Sequence, residues 1–117
     1  KSFMARQEHM GYEAELLYGC HSLGAMSAAM DLPGLLGFVV YEPAHWHCLV
    51  KLEEDVWERR DSLYQYADEM QGDATARNLH ARFAEQNNVI AVSRPGSGLK
   101  AAIATLRKKS RSSQAFE

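Results

Sequence analysis

An α+β fold, with a small and mostly antiparallel sheet and flanking helices, is what this sequence predicts. Three observations carry that expectation. Runs rich in β-branched and aromatic residues follow one another at 36–41, 45–52 and 56–58. The segments joining them are short, which suits adjacent antiparallel strands and leaves no room for a parallel crossover. Helical apolar spacing flanks the runs on both sides. With 117 residues, 46% of them hydrophobic, the chain can bury one sizeable core. Residues 1–110 are therefore read as a single domain and 111–117 as a flexible tail.

Each element has its own signal. Leu16, Cys20, Leu23, Met26 and Met30 recur at three- and four-residue intervals within residues 12–30. That spacing predicts an amphipathic helix, or two short ones broken near Gly19, and makes most of the stripe core-facing. Pro33 and Gly34 stop it. The three strand runs are separated by Glu42-Pro43-Ala44 and Glu53-Glu54-Asp55, which read as tight connections of a meander. Trp46 and Trp57 are expected in the core. Asp73 can cap a helix over 74–86, with Ala76, Leu79 and Phe83 on one face and Asn87-Asn88 at its end. Residues 89–93 read as one more strand, closed by Arg94-Pro95-Gly96. Leu99, Ile103 and Leu106 then mark a last amphipathic helix whose basic end suits its C-terminus. The expected order is helix, three strands, helix, strand, helix.

Composition excludes several function classes. A formal net charge of -2 provides no broad basic surface, so nucleic-acid binding is not expected. The one basic cluster, Arg107 to Arg111, reads as a solvated, mobile end. The longest apolar stretch, residues 32–41, is broken by Pro33, Gly34 and Gly37 and is too short for a membrane span. The N-terminus lacks the pattern of a secretory signal and does not begin with Met, as a processed or truncated chain would not. Two cysteines, Cys20 and Cys48, make no disulfide framework, and an intracellular setting is the expectation.

The densest reactive cluster is His45-Trp46-His47-Cys48 at the start of a strand. Alternation places His45 and His47 on one face and Trp46 and Cys48 on the other. A catalytic histidine needs a nucleophile on one ring nitrogen and an orienting acceptor on the other. Asp61, just beyond the next strand run, is placed to be that acceptor, because in a meander the end of one strand lies beside the start of its neighbour. On spacing alone, the alternative is that His45 is a surface or turn histidine and Asp61 caps the segment opening with Ser62-Leu63. Zinc is a further option for His45, His47 and Cys48 with Cys20 or His21. No Cys-x-x-Cys or His-Glu-x-x-His spacing supports it, and strand neighbours point to opposite faces, so no metal and no cofactor is expected. Residues 94–100 lack the spacing of a phosphate loop and read as a turn and helix start.

The run His45-Trp46-His47-Cys48-Leu49-Val50-Lys51-Leu52, followed by Val56-Trp57-Glu58-Arg59-Arg60-Asp61-Ser62-Leu63, resembles the second half of a Josephin-type deubiquitinase, a papain-like cysteine peptidase. That family has a His-Trp pair opening a strand, a Trp on the next strand, and Asn or Asp followed by Ser-Leu. A helix leading into Asn88-Val89-Ile90-Ala91-Val92 extends the likeness, which covers residues 37–95, about half of the chain. The resemblance implies His45 as general base, Asp61 as its orienting group, and ubiquitin conjugates as substrate.

Cys20 is the candidate nucleophile. A helix from about Cys20 to Asp31 would be roughly 18 Å long at about 1.5 Å per residue. A returning strand of about 20 Å, at roughly 3.3 Å per residue, brings His45 back to the helix start, where a thiol is acidified. Cys20 also sits on the apolar stripe, where a buried free thiol is common. Two features depart from the family pattern: no oxyanion-hole Gln precedes a cysteine in the expected way, and the long helical insertion between Cys and His is missing. Those departures favour a non-catalytic module, a fragment or degenerate copy that binds ubiquitin or another protein.

Overall fold

Strand alternation, pairing and two tight turns account for most of the architecture. The computed structural model describes residues 10–17, 20, 22–42, 45–61, 67–82 and 88–115. Its elements in chain order are β1 (Glu13–Leu16), α1 (Leu23–Met30), β2 (Leu35–Glu42), β3 (His45–Glu53), β4 (Val56–Asp61), β5 (Ala67–Gln71), α2 (Gly72–Arg82), β6 (Val89–Ser93) and α3 (Leu99–Ala115). The six strands form one sheet in the order β1-β6-β2-β3-β4-β5, and every neighbouring pair is antiparallel. The α+β expectation holds.

Several elements differ from the sequence expectation. The predicted helix over 12–30 is a strand and a shorter helix, because β1 pairs with β6 through Glu13↔Ser93 to Leu16↔Ile90. Gly19 lies outside the described residues. β4 continues past Glu58 to Asp61, held by β3 on one side and β5 on the other. β5 itself, Ala-Asp-Glu-Met-Gln, carries too little apolar content to announce a strand and forms as an edge against β4. α2 starts at Gly72, so Asp73 is inside the helix and not its cap; Asp55 takes that part, accepting from the Gly72 amide with its side chain (3.1 Å) and its carbonyl (3.2 Å). The stretch 83–87, with Phe83 and Asn87, and the Pro43-Ala44 connection lie outside the described residues. Where a flexible tail from 111 was expected, helical backbone runs on to Ala115. Arg107, expected as part of a mobile end, donates to the Leu16 carbonyl at 3.3 Å and ties α3 to β1.

All three helices pack on one face of the sheet. α1 contacts both α2 and α3, α3 lies on β1, and α2 lies on β4 and β5. α1 begins where Ser22 caps it, its Oγ accepting from the Ala25 amide at 3.1 Å, and ends at Asp31 before the Pro33-Gly34 turn. Gly34 adopts φ of 75°, a turn geometry that glycine takes without steric cost, and its carbonyl accepts from the Arg94 amide. The covered face supplies Phe38, Val40, Leu49, Trp57, Val89 and Ala91 to the core, against Met26, Ala29, Leu79 and Ile103 from the helices. Phe38 and Trp57 stack with ring centroids 5.6 Å apart. Lys51, on the same face, donates from Nζ to the Met30 carbonyl at 2.7 Å, fastening the C-terminal end of α1 to β3. At Gly37 a β-carbon would collide with the Leu49 carbonyl oxygen, so the β2–β3 approach requires glycine there.

Trp46 was expected in the core. It is on the opposite face of the sheet and 48% exposed, because alternation sends it away from its neighbours His45 and His47.

Candidate functional site

Cross-strand register lines up one row of residues near the end of the sheet. Leu17 donates to the Val89 carbonyl, Val89 pairs with Val40, Val40 with His47, and His47 with Asp61. At this end β1, β2 and β4 finish and β3 and β6 begin. Strand termini meet here, and polar groups can collect beside the apolar cluster of Phe38, Leu49 and Trp57 further along the strands.

His45 and His47 project to the covered face from β3, and Asp61 joins them from β4 as the Cα partner of His47. His45 Nε2 and Asp61 Oδ2 are 3.8 Å apart, with the His45 side chain 22% exposed and Asp61 buried. The two side chains thus approach each other at the ends of β3 and β4, which are interior strands of the sheet and not its edge. For this atom pair the separation exceeds a direct hydrogen bond, though catalytic contacts in unliganded enzymes are often long and tighten on substrate binding. Asp61 closes β4; the segment opening with Ser62-Leu63, which the alternative reading has it cap, lies outside the described residues.

Sequence reasoning gave Arg59 no role and named His47 only within the zinc option. Arg59 Nη2 donates to Asp61 Oδ2 at 3.1 Å, so a guanidinium and an imidazole approach the same carboxylate oxygen. The signal for Arg59 was available, since residues i and i+2 of a strand share a face. His47 is 1% exposed, and one of its ring nitrogens, one of those of His45 and one Asp61 carboxylate oxygen all fall within 4.8 Å of one another.

Cys20 is not among them. It stands two residues before the Ser22 cap and so outside the first turn of α1, with its own amide donating to the Leu17 carbonyl at 3.3 Å. The side chain is fully buried in the core, and Sγ faces the Ile103 carbonyl of α3 at 3.9 Å. Burial pushes its thiol pKa up, only partly offset by the Arg107 charge. Cys48 lies on the opposite face from His45, half-buried, and burial raises its thiol pKa as well, against a smaller lowering by Arg60. His21, part of the zinc option, lies outside the described residues, and Cys48 faces away from the histidines; that set does not assemble around Cys48.

α1 runs from this end of the sheet, where Ser22 follows Leu17 and Cys20, towards Lys51 and the Gly34 turn at the other. Its N-terminus therefore points to the same end as His45 and Asp61. β1 and β3 are three strand spacings apart in the sheet order, about 14 Å at roughly 4.8 Å each.

Searches against protein-family models, curated proteins and solved structures found no match for this chain. Among the described residues, no helix is long and apolar enough to cross a membrane.

Proposed function

We propose that this chain is a Josephin-type thiol hydrolase acting on ubiquitin or related protein conjugates, with His45 as general base, Asp61 orienting its ring and Cys20 as nucleophile. The observation that carries this reading is the approach of His45 to Asp61 across β3 and β4, at the end of the sheet to which the N-terminus of α1 points. In the hydrolytic step His45 takes the Cys20 proton, the thiolate sulfur attacks the carbonyl at the ubiquitin C-terminus, and the imidazolium returns the proton to the departing amine. Water then releases the acyl group from sulfur. The reading requires the turn containing Cys20 to swing its Sγ away from the Ile103 carbonyl towards His45.

A second reading is favoured by a specific observation. A fully buried thiol with a raised pKa, directed at a backbone carbonyl, is the environment of a structural cysteine and not of a nucleophile. On that reading the sheet is retained as a non-catalytic module that binds a protein partner.

One experiment separates the two. The purified chain is incubated with ubiquitin carrying a C-terminal thiol-reactive group, and the adduct is mapped by mass spectrometry. A Cys20 adduct whose rate falls roughly 100-fold in His45→Ala and Asp61→Asn supports the hydrolase. A folded chain that forms no adduct, yet retains ubiquitin on a column, supports the binding module.

A further inference from the structure

His45, His47 and Asp61 carry a chemistry beyond proton transfer. Alternation puts the two imidazoles on one face of β3, and register brings the carboxylate beside them from β4. One nitrogen from each imidazole and one carboxylate oxygen lie within 4.8 Å of one another. Around a tetrahedral zinc ion with bonds of about 2.0–2.1 Å, ligand atoms stand roughly 3.4 Å apart, so adjustments of about an ångström would close the set. Two imidazoles and one carboxylate suit zinc and similar first-row divalent ions. Magnesium and calcium prefer an all-oxygen shell.

Burial is graded across the set. His47 and Asp61 are 1% and 8% exposed, whereas the His45 side chain is 22% exposed, so solvent reaches the set past His45. Three protein ligands with a fourth position towards solvent form an open metal site, the arrangement that binds a water or a further ligand.

Arg59 is the charge that opposes a cation here, its Nη2 3.1 Å from Asp61 Oδ2. A carboxylate has two oxygens and about four lone-pair sites, enough for a guanidinium and a metal together. Held this way, Arg59 orients the ligand from outside the metal's own shell, at the cost of repulsion between two cations. We propose that His45, His47 and Asp61 form a three-ligand site for zinc or a similar first-row divalent ion. Zinc bound there occupies a His45 lone pair, so metal binding and the general-base role exclude each other at this site.

The test is titration of the metal-free chain with zinc chloride against a chromophoric chelator, with no ubiquitin present, so its result does not depend on the hydrolase reading. The expected result is one zinc per chain at micromolar affinity or tighter, unaffected by excess magnesium chloride. His45→Ala, at the partly exposed position, should weaken binding by about tenfold or more while circular dichroism stays unchanged. Asp61→Asn should weaken it comparably. Arg59→Gln should tighten it several-fold by removing the neighbouring cation. Cys20→Ser and Cys48→Ser should leave it within about twofold. Absence of stoichiometric zinc uptake, or uptake that persists in His45→Ala and disappears in Cys48→Ser, overturns the proposal.

Discussion

The two faces of the sheet are built from the same strands by the same alternation, yet they do different work. On the covered face, β2, β3 and β4 contribute Phe38, Leu49 and Trp57 to the helix-packed core, and the polar cluster of His45, His47 and Asp61 sits at its end. On the other face, among the described residues, the same strands present Tyr41 and Trp46, 37% and 48% exposed, and half-buried Cys48 and Val50, with no helix over them. An apolar depression of about 300 Å³ lies there between Leu36, Val39, Trp46, Cys48 and Val92. Side-chain type does not separate the faces, since each has a tryptophan and other apolar residues. What separates them is which one received the helices, and therefore where removing a side chain leaves a cavity.

Stability measurements can break that comparison. The largest effect is expected from Trp57→Ala, which empties a fully buried site stacked on Phe38 and should cost about 3–5 kcal/mol in denaturant unfolding. Lys51→Met keeps the stem and removes the bond to the Met30 carbonyl; a loss of about 1.5–3 kcal/mol is expected. Ser22→Ala removes the α1 cap and should cost about 1 kcal/mol. Trp46→Ser on the other face should stay within about 0.5 kcal/mol. If Trp46→Ser destabilises as much as Trp57→Ala, the faces are not energetically distinct and the contrast fails.

The cysteines sharpen the same contrast by kinetics. Native-state alkylation with iodoacetamide should modify Cys48 well before Cys20, since Cys48 is partly accessible and Cys20 is not exposed at all. Equal rates would mean that the turn carrying Cys20 opens readily, which is the motion the hydrolase reading requires.

The smallest effect concerns the far edge of the covered face. Burial raises the Glu13 carboxyl, but bonds from the Leu99, Gly98 and Ser97 amides and the Ser97 hydroxyl outweigh it and hold the pKa below the ordinary glutamate range. A carboxylate depressed in the folded state contributes stability that is present above its unfolded pKa and lost as pH falls through its folded one. Glu13→Gln should therefore reduce the acid-side slope of stability below the ordinary glutamate range and leave the neutral-pH slope unchanged. An unaltered acid slope would show that Glu13 does not link α3 to β1 in this way.

Much of this was legible locally. Alternation alone placed His45 with His47 and Trp46 with Cys48, and short connections alone implied the β2–β3–β4 meander, which made an approach of Asp61 to His45 one of two readings of the sequence. β1 was not legible, because Leu16 and Cys20 continue the spacing of Leu23, Met26 and Met30, and only hydrogen bonds to β6, distant in sequence, make Glu13–Leu16 a strand. β5 was hidden by its polar composition and exists by pairing with β4.

By itself the sequence determined the α+β class, the β2–β3–β4 and β6 strands and the last helix, and it marked His45 and Asp61 as candidates to meet. These depend on periodicities of two and 3.6 residues and on turns within a few positions. Tertiary structure alone decided that the helices cover one face and that Cys20 faces Ile103 and not His45. Those outcomes depend on contacts between residues far apart in the chain, where free energy is set by which surfaces are buried together and not by local pattern.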